Sequence, residues 1–216
     1  MKILIAGGSG FVGSNLAKYL KKTNKYHLTL LTRNKDKHSQ NKHYNQVISW
    51  GDITLGKVKN NFDVIINLCG YEIAKKRWSK KTKQLLLDSR LIPTRKLIEF
   101  IGTSDTKLIS TSAIGFYPFS KQAQDEDNIL TTDTKTFGQE ITHSWEALVR
   151  NAKLKNWCIT RFGVVLGNGG FLSKIIPTAK LGLGATLGKG QNIITFVHIN
   201  DLCRAIDFLI KNSSND

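Results

Sequence analysis

The chain has 216 residues, 40% of them hydrophobic, which is enough for one substantial core. Lys and Arg total 32 against 16 Asp and Glu, a formal net charge of +16. We interpret this excess as a lysine-rich solvated surface and disfavour nucleic-acid binding, because the basic residues are scattered and form no arginine-rich or aromatic-interleaved arm.

The sequence also disfavours a membrane protein and a metalloprotein. No run approaches the ~20 apolar residues of a membrane span, and the start does not resemble a signal peptide. Cys69, Cys158 and Cys203 lie far apart among apolar neighbours, without the paired spacing of a metal site or a redox couple. We therefore expect reduced, buried thiols, no bound metal and a soluble cytoplasmic protein.

Strand-like apolar runs alternate with helical patterns along the chain. The predicted strands are residues 2–6, 27–32, 46–50, 63–68, 106–111 and 157–162. Helices are predicted at Asn15–Lys22 and Lys80–Ile101. Strands that alternate with helices pair in parallel through right-handed crossovers, so we expect an α/β fold with a doubly wound parallel sheet of Rossmann type.

The first strand runs into a glycine-rich turn and then a helix. The turn consists of Gly7, Gly8, Ser9, Gly10, Phe11, Val12 and Gly13. Such a turn suits a nucleotide diphosphate, because glycines let the backbone approach the phosphates and the N–H groups that open the helix face them. The sequence therefore predicts a dinucleotide-binding loop.

The second predicted strand ends at Arg33, where a dinucleotide-binding fold meets the adenosine ribose. An acidic residue there would repel a 2′-phosphate, whereas Arg33 with Lys35 and Lys37 nearby favours one. We therefore expect NADP(H) rather than NAD(H). A solvated basic turn is the alternative.

Six segments spread over nearly the whole chain carry a further signal. They are AGGSGFVG (6–13), DVIINLCG (63–70), KRWSKKTKQLLLDSRLIPTRKL (76–97), ISTSAIGFY (109–117), RFGVVLG (161–167) and FVHINDLCRAI (196–206). With these segments the chain resembles the extended and atypical short-chain dehydrogenase/reductases, in particular the NAD-dependent epimerase/dehydratase-like branch of nucleoside-diphosphate-sugar epimerases. The resemblance implies an oxidoreductase or epimerase that acts on a nucleotide sugar or another small carbonyl compound, phosphorylated substrates included.

The resemblance also assigns residues around the cofactor. It implies that Ser112 orients the substrate oxygen and that Asn67, Cys69 and Gly70 line the ribose and nicotinamide. Asp52 follows the third strand, where this fold commonly meets the adenine. Plain turn residues are the alternative for Asp52, Asn67 and Gly70.

The catalytic pair of the wider superfamily is missing. The tyrosine acid/base and the lysine of this pair correspond to Phe137 and Ile141 in this chain, and neither of these side chains has a proton that it can transfer. Tyr117, close after Ser112, is our candidate acid, with a packing role as the alternative. His143 is a second candidate, against which stands an ordinary surface or hydrogen-bonded histidine.

Four other residues and one loop receive both a functional and a structural interpretation. Arg77 and Arg90 would clamp a substrate diphosphate or carboxylate, or form ion pairs on a helix surface. His198 and Asp201 are interpreted as structural residues that fix the sheet to the closing helix. The glycine-dense segment 181–192 is either a lid over a cleft or a series of surface turns.

We predict an NADP(H)-binding Rossmann domain at residues 1–165 and a partial substrate lobe, with a lid loop and the closing helix, at residues 166–216. The lobe is expected to be incomplete, because family members usually continue further. The leading hypothesis is an NADP(H)-dependent oxidoreductase or epimerase that uses Ser112 and Tyr117. The other is a catalytically degenerate NADPH-binding protein. The partner is a small molecule, and the oligomeric state is left open, a homodimer included.

Overall fold

The computed structural model describes residues 1–120, 123–127, 136–184 and 193–212. Within these ranges, six strands form one parallel sheet: β1 (Lys2–Ala6), β2 (His27–Thr32), β3 (Gln46–Ser49), β4 (Val64–Asn67), β5 (Lys107–Ala113) and β6 (Trp157–Phe162). Their spatial order is β3-β2-β1-β4-β5-β6, and every neighbouring pair is parallel. This is the doubly wound order of a Rossmann fold, as expected.

Helices connect the strands and cover both faces of the sheet. They are α1 (Phe11–Lys21), α2 (Lys35–His38), α3 (Trp50–Thr54), α4 (Lys80–Ile101), α5 (Phe137–Arg150), α6 (Leu172–Lys180) and α7 (Ile199–Lys211). A 3₁₀ turn at Ile114–Phe116 follows β5, and two short strands, β7 (Val164–Leu166) and β8 (Phe196–His198), pair in parallel apart from the main sheet. No helix in the described ranges is both long and apolar enough to cross a membrane.

The predicted elements are confirmed, with shifted ends. The helix predicted at Lys80–Ile101 has these exact bounds, whereas the first helix begins at Phe11 and not at Asn15. It begins early because Gly10 is its N-cap, so that the glycine turn itself opens the helix. The third strand stops at Ser49 because the Ser49 side chain caps α3.

The central strand β1 is buried on both faces. Ile3 and Ile5 pack in a cluster with α1 and α7, and Leu4 and Ala6 pack in a second cluster with α4. Strands that are buried on both faces have continuous apolar sequences, which is why the sequence predicts β1.

The core of the first segment extends beyond residue 165. Helix α7 contributes Ile199, Leu202, Cys203, Ile206 and Ile210 to the cluster that contains α1 and β1. The boundary between residues 1–165 and 166–216 therefore does not separate two cores, and the substrate lobe stays a prediction. Of the predicted lid, residues 185–192 lie outside the described residues.

A buried lysine holds α7 in place. Lys107 begins β5 and is only 4% exposed. Its Nζ donates hydrogen bonds to the carbonyl oxygens of Leu209, at 2.8 Å, and Asn212. The last carbonyls of a helix have no partner within the helix, so this ammonium group satisfies the end of α7 from the sheet.

We expect Lys107→Met to lower the free energy of unfolding by about 1–3 kcal/mol, because the carbonyl groups of Leu209 and Asn212 lose their buried donor. Urea denaturation would measure the change. The control is Lys155→Met, which removes an exposed ion pair with Asp105 at 2.9 Å and is expected to cost at most about 0.5 kcal/mol. Equal losses in the two variants would contradict this role of Lys107.

Candidate functional site

The candidate site lies at the carboxyl ends of β1 and β4. These strands pair directly, with Ala6 opposite Asn67, while the chain leaves β1 toward β2 on one side and β4 toward β5 on the other. Crossovers that diverge in this way open a crevice at the strand ends, where open α/β sheets bind ligands. The glycine turn 7–13 and the segment 68–70 form its two edges.

Two glycines in the turn are required by close contacts within the protein. Gly7 has φ +77°, and a Cβ there would lie 2.5 Å from the carbonyl oxygen of Leu68. A Cβ at Gly13 would lie 2.5 Å from the Cα of Gly8. Real side chains do not fit at these distances, so the turn packs directly against the end of β4 and against its own helix.

Gly10 and Ser9 have the opposite environment, because both are exposed. A Cβ at Gly10 would meet only the Gly7 carbonyl oxygen, at 3.3 Å. Gly10, the N-cap of α1, has no side chain with which to cap the helix, and the first turn holds no acidic residue. The positive end of α1 is therefore open toward the crevice side of the turn, as an anion site requires.

Phe11 and Val12, also predicted at this site, provide backbone rather than side chains to the turn. The Phe11 ring packs against Gly167, Gly169 and Gly170, where added Cβ atoms would lie 3.1, 2.7 and 3.0 Å from it. Val12 packs against the core cluster beneath α1. Both residues therefore fix the helix start while their N–H groups belong to its first turn.

A tyrosine that sequence reasoning missed supports the turn from below. The buried Tyr44 hydroxyl donates a 2.9 Å hydrogen bond to the carbonyl oxygen of Gly8 and lies 3.5 Å from that of Gly13. Burial raises the pKa of Tyr44 well above its usual value, so the phenol keeps the proton that it donates. Its position between β2 and β3 carried no local motif that would indicate this contact.

The basic cluster after β2 is divided by an ion pair. Lys35 Nζ lies 3.5 Å from Asp52 Oδ2, whereas Arg33 is exposed and has no carboxylate partner among the described residues. Asp52 also accepts a 2.8 Å hydrogen bond from the Ser49 N–H, and these hydrogen bonds lower the pKa of its carboxyl group. Asp52 is thus a helix-capping residue of α3, and any contact with an adenine would come in addition.

Arg33 follows β2 at the same edge of the sheet as the glycine turn, because Leu31 pairs with Ala6. Burial raises the pKa of the Cys69 thiol to about 12, and the nearby Arg33 cation acts in the opposite direction. Cys69 is therefore a neutral thiol. Cys69, Cys158 and Cys203 are all free, as expected.

Asn67 is enclosed, and both the nitrogen and the oxygen of its side-chain amide form hydrogen bonds. Its Nδ2 donates to Thr94 Oγ1 at 2.8 Å, and its Oδ1 accepts from the Cys69 N–H at 3.2 Å. Trp145 Nε1 donates to the same threonine oxygen at 2.8 Å, so one hydroxyl joins β4, α4 and α5. The side chain of Asn67 therefore shapes the end of β4 from within, and does not present a polar group to the crevice.

Arg90 is a buried cation beneath Gly70. Its guanidinium donates to the carbonyl oxygens of Leu86, at 3.0 Å, and Tyr71, at 3.2 Å, and it lies over the Trp145 ring. Burial lowers its pKa to about 10. The structure thus gives Arg90 a supporting role for the loop after β4 and not an exposed clamp, while Arg77 is exposed.

The positions of the missing catalytic pair are filled by apolar packing. Phe137 opens α5 with its ring edge-on to Trp78, at 5.3 Å between centroids, and Lys83 lies over its face at 4.8 Å. Ile141 is buried. His143 Nε2 hydrogen-bonds the carbonyl oxygen of Phe116 at 3.1 Å, which favours the structural interpretation of that histidine.

Tyr117 is joined to an ion pair that the sequence analysis did not predict. Arg161 donates from one terminal nitrogen to the Tyr117 hydroxyl oxygen at 2.7 Å. Its Nε and other terminal nitrogen donate to the two oxygens of buried Glu146 at 2.9 and 3.0 Å. Two features of the sequence could have indicated this ion pair. Arg161 is a charged residue in the apolar strand β6, and Glu146 is an acidic residue on the apolar face of the amphipathic helix α5.

Ser112 lies beside this group, directly opposite Arg161 in the β5–β6 ladder. Its hydroxyl is buried and has no hydrogen-bond partner within the described part of the chain, and the same is true of Ser110 and Thr111. An unpaired buried hydroxyl costs stability, so three in succession at the carboxyl end of β5 are unusual. His198, at the end of β8, caps α7, and Asp201 pairs with Arg204 on the surface of the same helix.

The model of the NAD dependent epimerase/dehydratase family matches residues 3–216. The chain belongs to this family. It is 36% identical over 218 residues to an epimerase family protein of Staphylococcus aureus and 33% identical to one of Staphylococcus haemolyticus, in each case over 98% of this chain and 71% of the relative.

Solved structures agree on the fold. Human epimerase family protein SDR39U1, crystallised with NADPH, is similar at a TM-score of 0.83 and 25% identity, over 98% of this chain and 70% of that one. The UDP-glucuronic acid 4-epimerase of Bacillus cereus, solved with UDP-glucuronic acid and NAD, has a TM-score of 0.79 at 22% identity, over 100% of this chain and 74% of that one. The second likeness shows the shared fold alone.

We expect Ser112→Ala to leave the free energy of unfolding unchanged or to raise it by up to about 1 kcal/mol, because it removes an unpaired buried hydroxyl. The control, Thr106→Val, removes a buried hydroxyl that donates to the Phe62 carbonyl oxygen at 2.7 Å, and should cost about 1–2 kcal/mol. Urea denaturation compares them. A loss in Ser112→Ala equal to that of the control would show that Ser112 has a structural hydrogen bond.

Proposed function

We propose that this protein binds a nicotinamide dinucleotide along the carboxyl ends of β1 and β4, with NADP(H) preferred over NAD(H). We further propose that it performs hydride-transfer chemistry on a small carbonyl or hydroxyl compound, with nucleotide sugars as the first class to test. The observation that carries the proposal is the open, uncapped N-terminus of α1 behind a tightly packed glycine turn, with Arg33 at the neighbouring strand end.

The residues of the turn suit a diphosphate. Gly10 is exposed, and a Cβ there would be crowded by one atom alone, the Gly7 carbonyl oxygen at 3.3 Å. An exposed glycine at this position lets a ligand approach the backbone closely. The first-turn N–H groups of α1 would hold the phosphates, with Tyr44 fixing the carbonyls on the other side of the turn.

The preference for NADP(H) rests on the charges after β2. Because Lys35 is paired with Asp52, Arg33 and Lys37 are the cations of this cluster that remain to meet a 2′-phosphate, and Arg33 lies nearest to the end of β2. A guanidinium pairs with a phosphate through two parallel hydrogen bonds, which a neutral ribose hydroxyl does not offer. The human relative was crystallised with NADPH, whereas the Bacillus enzyme holds NAD, so the comparisons support the cofactor class and Arg33 supports the choice within it.

When bound, a nicotinamide ring supplies or accepts a hydride at the substrate carbon. Tyr117 is our candidate to hold or release the proton on the substrate oxygen. Its hydroxyl oxygen accepts a hydrogen bond from Arg161, which leaves its own hydrogen free to donate. Ser112 is proposed to bind the same substrate oxygen once a ligand rearranges the surroundings of its enclosed hydroxyl.

The free cysteines are consistent with a reducing compartment, which supports the proposed cytoplasmic location. A small-molecule substrate remains the proposed partner.

The cofactor proposal is tested by titration with NADPH and NADH, followed by fluorescence. We expect wild type to prefer NADPH, and Arg33→Ala to raise the Kd for NADPH about 10- to 100-fold, the value of one charged hydrogen bond, with little change for NADH. The control is Arg204→Ala, which removes the same charge from α7. Equal affinities for both cofactors in wild type would contradict the NADP(H) preference, and absent binding of both would contradict the function.

We expect Tyr44→Phe to weaken NADPH binding about 3- to 10-fold, because the glycine turn loses the hydroxyl that holds its Gly8 carbonyl. The matched control is Tyr26→Phe, which loses a buried hydrogen bond to Asp207 at 2.6 Å, away from the turn. Both variants should be less stable, but only Tyr44→Phe should bind NADPH more weakly. The same Kd in both variants would show that Tyr44 stabilises the fold alone.

One observation favours a second candidate, an NADPH-binding protein without turnover. Phe137 and Ile141 are packed apolar residues at the two positions where the family's proton-transfer pair is expected. Two activities would rule this candidate out if Ser112→Ala lowers them: oxidation of NADPH by phenanthrenequinone, and reduction of NADP⁺ in the presence of UDP-glucose or UDP-glucuronic acid. Binding without turnover over the whole panel would favour it.

A further inference from the structure

The site contains a continuous chain of charge-assisted hydrogen bonds that starts inside the fold and ends at a partly exposed phenol. Glu146 on α5 is 2% exposed, and it accepts two hydrogen bonds from Arg161 on β6. The remaining terminal nitrogen of Arg161 donates a 2.7 Å hydrogen bond to the Tyr117 hydroxyl oxygen. A pair of hydrogen bonds from one guanidinium to both oxygens of one carboxylate is the most strongly oriented contact that an arginine makes.

One further contact fixes the position of the guanidinium. Its central carbon lies 3.4 Å from the centroid of the Phe116 ring, which provides a cation–π surface on one face. Burial disfavours its charge, but the hydrogen bonds with Glu146 and Tyr117 outweigh this effect and raise the pKa of Arg161 above its usual value. Arg161 is therefore a permanent, immobile cation beside the phenol oxygen.

The direction of the hydrogen bonds decides what Tyr117 is able to do. An arginine only donates, so the Tyr117 oxygen is the acceptor in this contact. No acceptor for the Tyr117 hydrogen is found among residues 1–120, 123–127, 136–184 and 193–212. The phenol thus combines a stabilised oxygen with an uncommitted hydrogen on a partly exposed side chain.

We propose that Arg161 is a positioning residue that supports proton transfer by Tyr117 and that Glu146 holds Arg161 in place for it, in a chain that lacks the usual lysine. This inference rests on the proposed hydride-transfer function. Ser112 lies opposite Arg161 in the β5–β6 ladder, which places Ser112, Arg161 and Tyr117 at one end of these strands.

In the direction of reduction, the carbonyl carbon of the substrate gains a hydride from reduced nicotinamide while its C=O π electrons move to oxygen. That oxygen takes the Tyr117 hydrogen, so one O–H bond breaks on the phenol and one forms on the product alcohol. The phenolate left behind is neutralised by the Arg161 cation and regains a proton from water. In the direction of oxidation, the same phenolate removes the hydroxyl proton of the substrate.

The test measures kcat and KM with NADPH and phenanthrenequinone as the carbonyl probe, and the Kd for NADPH. We expect Tyr117→Phe to lower kcat about 100-fold or more, the usual contribution of a proton donor. Arg161→Gln should lower kcat about 10- to 100-fold, with KM and Kd changed less than about twofold, and Arg161→Lys should lose less because it keeps the charge.

The decisive comparison is the double variant. If Arg161 acts through Tyr117, adding Arg161→Gln to Tyr117→Phe causes no further loss of kcat, because the group that it supports is gone. Arg161→Lys retains the charge that buried Glu146 needs, so the comparison can be made with it if Arg161→Gln does not fold. The matched control is Arg150→Gln, which removes the other cation of Glu146, at 3.4 Å, without touching Tyr117.

Independent, multiplying losses in the double variant would overturn the inference, as would an equal loss in Arg150→Gln. Turnover by wild type that Tyr117→Phe leaves unchanged would overturn the inference and leave the proposed function intact. Wild type that binds NADPH but turns over neither phenanthrenequinone nor the nucleotide sugars would overturn the proposed catalysis and the inference together.

Discussion

The backbone contact between the glycine turn and the end of β4 is the constraint on which the rest of the site depends. Gly7 approaches the Leu68 carbonyl so closely that a single added carbon would lie 2.5 Å from it. This contact brings the chain from β1 sharply into α1 and directs the helix start at the crevice. Without it, the uncapped N–H groups, Arg33 and the strand ends would not share one side of the molecule.

The crevice is supported by a polar interior on its other side. The Thr94 hydroxyl accepts from Asn67 and Trp145 and donates to the Arg90 carbonyl, so α4, α5 and β4 are joined at one atom. Arg90 adds hydrogen bonds to the loop after β4. Buried polar groups that are fully paired in this way specify one arrangement, since loss of any partner leaves another unpaired.

In the proposed catalytic region, apolar and charged residues are placed differently from the pattern that the family resemblance implies. Apolar packing of Phe137 and Ile141 holds the start of α5, and the charged groups lie deeper, in Glu146 on α5 and Arg161 on β6. Beside them lies the Ser112 hydroxyl, which has no hydrogen-bond partner among the described residues and therefore costs stability. Proteins keep destabilising groups of this kind where the group binds a ligand, so we expect activity at this strand end.

The sequence by itself determined the doubly wound sheet, the six strands, the extent of α4 and the glycine turn. These features depend on local patterns: continuous apolar runs mark strands buried on both faces, and the spacing of glycines marks the turn. Only the tertiary structure decided which polar residues face the crevice. It enclosed Asn67 and Arg90, and it brought Tyr44 to the glycine turn and Arg161 to Tyr117. Those partners are far apart along the chain, and a contact between distant residues depends on how helices pack across the sheet, which no local pattern encodes.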